Sequence, residues 1–109
     1  MEETRPADTT FEYSLIVTIL NSGSAEDVME AAKKAGAGGG TLVHSRGIET
    51  QEATAFWGLS MQEEKEIVLI IAEHDSKLKI MSTIGEKCGM NTEAKGLVLS
   101  LPIDSVMGI

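Results

Sequence analysis

Cysteine is nearly absent: the 109-residue chain has one, Cys88. An internal disulfide is excluded, and a reducing cytoplasm is the expected home. Long apolar runs are missing too. The longest, Ile67–Ala72, falls far short of the roughly 20 residues that span a bilayer, so no membrane insertion is expected. Arginine occurs only at Arg5 and Arg46, and 9 Lys and Arg stand against 17 Asp and Glu, a net charge of −8. That balance leaves no basic footprint for nucleic acid or an anionic membrane surface. Because such a chain repels anions at long range, an anion site has to use backbone N–H groups and a few placed cations, with Arg46 and Lys95 as candidates. The start lacks the charged-then-apolar order of a signal segment, and residues 1–10, aperiodic and containing Pro6, read as a disordered leader.

What is present describes one globular domain over residues 11–109, with 42% hydrophobic and 24% charged residues, enough for a single modest core. The chain turns on Gly36–Gly47, GAGGGTLVHSRG. Glycine in such density suits a backbone that takes positive φ or approaches another group closely; that group is a bound anion or, more plainly, the chain itself turning from helix to strand.

Phe11–Leu20 is β-branched and aromatic-rich, apolar on both faces, and reads as a first strand. Ser24 offers an N-cap with Glu26 and Asp27 in the first turn. Ala25, Val28, Met29, Ala32 and Ala35 follow helical spacing, and Gly36 suits C′. Thr41–Arg46 is a second strand fit for a sheet edge. The 18 residues Gly47–Glu64 exceed the roughly 12–15 usual for a structureless connection, which marks a functional loop. Phe56 and Trp57 within it call for a packing partner. Glu66–Glu73 is a third strand, Lys77–Cys88 a second helix with Leu78, Met81, Ile84 and Cys88 on one face and Gly89 ending it, and Lys95–Pro102 a last strand after the link Met90–Ala94.

The order βαββαβ specifies an α+β, ferredoxin-like sandwich: a four-stranded antiparallel sheet with two helices on one face and the first and third strands central. Two helices cover one face only. The apolar side chains on the other imply self-association.

A domain of this kind with Gly39-Gly40-Thr41 turning into the second strand, Arg46-Gly47 at the loop entry, Gly89 and Lys95 around the last link and the ending Pro102–Val106 resembles the PII nitrogen-regulatory signalling proteins. The resemblance covers about Phe11 to Ile109. It implies a homotrimer whose free sheet faces meet at a three-fold axis, with non-enzymatic sensing of ATP, ADP or AMP in the clefts between subunits. The long loop would then control a target protein by a shift in its population of shapes. Carried over by position, Gly39 and Thr41 lie at the base pocket, Gly47 and Gln51 at the phosphate end of the loop, and Lys95 on a phosphate. Gln51 stands where the family has a glutamine that helps hold Mg²⁺ and 2-oxoglutarate.

Several positions depart from the family. Glu49 replaces a loop glycine, Thr92 and Ala94 stand where link glycines are expected, and Met107 and Ile109 stand near the phosphate-binding arginines. Cations lost and an anion gained weaken the case for tight Mg²⁺-ATP and 2-oxoglutarate binding and leave open a less charged ligand, a monophosphate or no nucleotide at all. The loop is shorter than in typical nitrogen regulators and holds no tyrosine, which removes uridylylation there and points to a divergent sensor. Two alternatives stay open: a trimeric interaction protein whose nucleotide site has decayed, and a cation-binding protein resembling the divalent-cation-tolerance group.

The remaining chemistry has plainer readings. His44, His74 and Cys88 lack metal-ligand spacing and read as structural or surface residues. His44 and Ser45, adjacent on a strand, point to opposite faces and form no triad. Glu63, Glu64 and Glu66, interrupted by Lys65, read as a solvated strand entry. Met29 and Met81 fit core positions, while Met61 and Met90 fall near the loop and the link.

Overall fold

The computed structural model describes residues 11–46 and 64–108. The leader, Gly47, Glu49, Gln51, Phe56, Trp57, Met61 and Ile109 lie outside them. The elements run β1 (Tyr13–Asn21), α1 (Ala25–Lys34), β2 (Thr41–Arg46), β3 (Glu64–Glu73), a 3₁₀ turn (His74–Ser76), α2 (Lys77–Cys88) and β4 (Leu97–Ile103). The four strands form one sheet in the order β2-β3-β1-β4, every pair antiparallel. This is the expected ferredoxin-like order, with β1 and β3 central and β2 at an edge.

Strand alternation sorts the core. Ser14, Ile16, Thr18 and Leu20 of β1 and Glu66, Val68, Ile70 and Ala72 of β3 are buried on the face that meets the helices. Against them pack Val28, Ala31 and Ala32 of α1 and Ile80, Ile84 and Cys88 of α2. Burial pushes the Cys88 thiol above its ordinary pKa. The opposite face carries Leu15, Val17 and Ile19 between Ile67, Leu69 and Ile71 on one side and Leu97, Leu99 and Leu101 on the other. Ile71 and Leu101 remain 48% and 47% exposed there. The lone chain therefore presents a continuous apolar sheet face beyond the scattered exposure normal for a monomer.

Helix α1 ends in a Schellman motif. Gly36 has φ +107°, its N–H donates to the Lys33 carbonyl, and the Ala37 N–H reaches back to the Ala32 carbonyl at 2.9 Å. Gly40 has a different reason to be glycine: a Cβ there would stand 2.9 Å from Met29 Sδ and 3.0 Å from both Ile70 Cγ1 and the Leu69 carbonyl oxygen. Lys87 of α2 pairs with Glu30 of α1 across the helix layer, holding the carboxyl below and the ammonium above their ordinary pKa values.

Three local expectations need correction. Leu78 is 70% exposed, and Ile80 takes the inward place on α2, while Ile84 and Cys88 are buried and Met81 packs on the core as expected. The Ser24 side chain makes no cap hydrogen bond. Glu66 is not part of a solvated entry: it is buried, and its Oε1 accepts the N–H groups of Ser24 and Ala25 at 3.1 and 3.0 Å. A carboxylate from β3 thus caps α1, where the helix dipole favours negative charge.

Candidate functional site

Strands β1, β2 and β3 come to one end of the sheet at Asn21, Arg46 and Glu64. Register sets Lys65 opposite Asn21 on one side and opposite Ser45 on the other. Lys65 shares the open face with Ile67, Leu69 and Ile71, yet it is only 4% exposed. Taking an ammonium this far out of water is costly unless acceptors meet it. Its Nζ donates to Asn21 Oδ1 at 2.9 Å, which uses one of its three donors.

Beside it, Arg46 lies 3.8 Å from Glu64, both well exposed, an ion pair of little strength in water. His44, Ser45, Arg46, Glu64 and Lys65 together line a cavity of about 260 Å³. Strand alternation puts Ser45 and Lys65 on the open face and His44, Arg46 and Glu64 on the helix side, so the hollow wraps the end of the sheet at the point where the chain enters and leaves residues 47–63. His44 also touches the cap of α1, its Nδ1 3.8 Å from Glu66 Oε2.

The link between α2 and β4 closes on the same sheet end. The Gly96 N–H donates to the Cys88 carbonyl at 2.8 Å, the Thr92 N–H to the Gly89 carbonyl at 3.0 Å and the Lys95 N–H to the Thr92 carbonyl at 3.2 Å. The neck leaves no room for side chains, since a Cβ on Gly96 would lie 2.2 Å from the Cys88 carbonyl oxygen. Inside the link, Thr92 Oγ1 donates to the Gly89 carbonyl at 2.7 Å and Ala94 is buried in the core. These two departures from glycine thus have local structural uses. Lys95 takes φ +51°, a left-handed conformation that costs a non-glycine residue ~1–3 kcal/mol and occurs preferentially at functional positions. The link is tied to β1 by Asn21, whose N–H donates to the Ala94 carbonyl at 2.9 Å and whose Nδ2 donates to the Glu93 carbonyl at 3.1 Å.

Of the residues singled out in the sequence, Lys95 lies at this end of the sheet. Thr41 opens β2 opposite Leu69, roughly 13 Å along the strand from Ser45 at the usual rise, and Gly39 precedes it. Within one chain these two are not brought together with Lys95. Gly39 has open space around its Cβ position, so the fold of the single chain does not itself require glycine there. Gly47 and Gln51 lie outside the described residues. Among the described residues no group of three His, Cys, Asp or Glu could hold a metal ion, and no helix is long and apolar enough to cross a membrane. His74 is buried against Ser14, with 2.5 Å between its Nδ1 and the serine Oγ.

Sequence reasoning missed Lys65 and Asn21. The signal was available: strand alternation from Ile67 and Leu69 puts Lys65 on an apolar face, where a lysine needs a partner.

No protein-family model matches the chain, and no curated protein matches its sequence. A solved structure does match: the crystal structure of Arabidopsis thaliana PII bound to citrate, with a TM-score of 0.68 over 91% of this chain and 82% of that one, at 19% identity. The chain shares the fold of the PII proteins.

Proposed function

We propose that this protein is a non-enzymatic, PII-like sensor of the cytoplasm that binds an anionic small metabolite at the sheet end and controls a partner protein through residues 47–64. The observation that carries this reading is the buried Lys65 ammonium at the end of the sheet where β2 runs into that segment and β3 leaves it. The PII relative was crystallised with citrate, which makes a small carboxylate anion one candidate class. An adenine nucleotide is the other candidate class, with Gly47, Gln51 and Lys95 on its phosphates and Gly39 and Thr41 supplied by a neighbouring chain. That division suits a homotrimer assembled on the open apolar face, because Thr41 and Lys95 sit too far apart in one chain to share a ligand.

The sensor reading is tested by limited proteolysis of residues 47–64 with citrate, AMP, ADP or ATP present. Ligand-dependent protection or exposure of that segment is the expected result. Cleavage unchanged by all four contradicts it.

A further inference from the structure

Asn21 stands between the two halves of the sheet-end site. A lysine ammonium only donates and a carbonyl only accepts, so the amide is fixed with Oδ1 toward Lys65 and Nδ2 toward Glu93. The same residue's N–H holds the Ala94 carbonyl. One side chain thus joins the buried cation at the mouth of residues 47–63 to the link that carries Lys95, and hydrogen bonds in such a chain polarise one another.

We infer that Asn21 is a positioning residue that couples Lys65 to the Gly89–Gly96 link, so that an anion bound by Lys65 tightens the link and sets Lys95. The regulatory part rests on the proposed anion site; the coupling itself does not. Lys65 lies on β3, and among the described residues its side chain meets the link through the Asn21 amide. An anion that anchors the ammonium fixes the amide with it, and the Glu93 and Ala94 carbonyls gain a firmer donor.

The test is amide hydrogen exchange of the full chain, read at Thr92 and Gly96, whose N–H groups close the link. Without any ligand, Lys65→Met is expected to speed exchange at both amides about fivefold, the population change that one net hydrogen bond is worth, while amides within α1 keep their rates. Asn21→Asp keeps an acceptor for Lys65 but sets a carboxylate oxygen against the Glu93 carbonyl; it too should speed the link amides. Wild-type rates at Thr92 and Gly96 in either variant would overturn the coupling, whatever the protein binds. Added citrate should slow the same amides in the wild type and leave them unmoved in Asn21→Ala. A citrate effect that survives in Asn21→Ala would also overturn it, whereas absence of citrate binding to the wild type would count against the anion site alone.

Discussion

Glu66 shows how one side chain can be misread from its neighbours. Flanked by Glu64 and Lys65, it resembles a solvated charge run, yet β3 alternation turns it inward beside Val68 and onto the start of α1. Removing it leaves two backbone donors without their acceptor in a buried place. Glu66→Ala should therefore cost about 1–3 kcal/mol in a urea unfolding titration, with Glu66→Gln, which retains an amide oxygen for the same donors, costing less. Equal midpoints for the alanine variant and the wild type would remove the cap from the account. Lys65 was hidden by the same run of charges. Its significance depends on Asn21, 44 residues away in sequence, and a pairing at that separation is set by sheet register, which no local pattern states.

At the level of elements, the strands and the order βαββαβ were legible because β-branched runs, the Gly36 stop and the Lys77–Cys88 period are local signals. On α2, Met81, Ile84 and Cys88 were legible as inward residues, and Ile80 in place of Leu78 was not. Leu78 and Ile80 both continue a helical spacing to Ile84 and Cys88, and only docking against α1 and the sheet chooses between them. The choice has a clear consequence: Ile80→Ala should lose about 2–5 kcal/mol, as for other buried large-to-small changes, and Leu78→Ala should stay within about 0.5 kcal/mol of wild type. Chemical denaturation of the two variants checks this, and a reversed order would mean that α2 is rotated about its axis. The link between α2 and β4 has its own logic. Glycine is demanded at its neck by backbone contact at Gly96, while Thr92 and Ala94 inside it serve closure and packing, which is why glycines expected there by resemblance are dispensable to the fold.

Over the whole molecule, the two faces of the sheet divide the work. One is filled by α1 and α2 and holds the chain together; the other stays apolar and open, a surface suited to further copies of the chain. Lys65, Arg46 and the link that carries Lys95 are spread along one end of the sheet, which is fed by both central strands, an edge strand and the link, so its chemistry belongs to the fold more than to any one motif. Glycine-rich Gly36–Gly47, the feature most visible in the sequence, turns out to serve α1 termination at Gly36 and close packing at Gly40; the single chain gives Gly39 no such task. The anion site is accordingly the claim on which the functional account stands. Calorimetric titration of the wild type and of Lys65→Met with citrate, AMP, ADP and ATP tests it most directly. Saturable binding near one ligand per chain for at least one of them, weakened tenfold or more in Lys65→Met, is the result the account predicts; no heat with any of the four, or equal affinity in the variant, would contradict it.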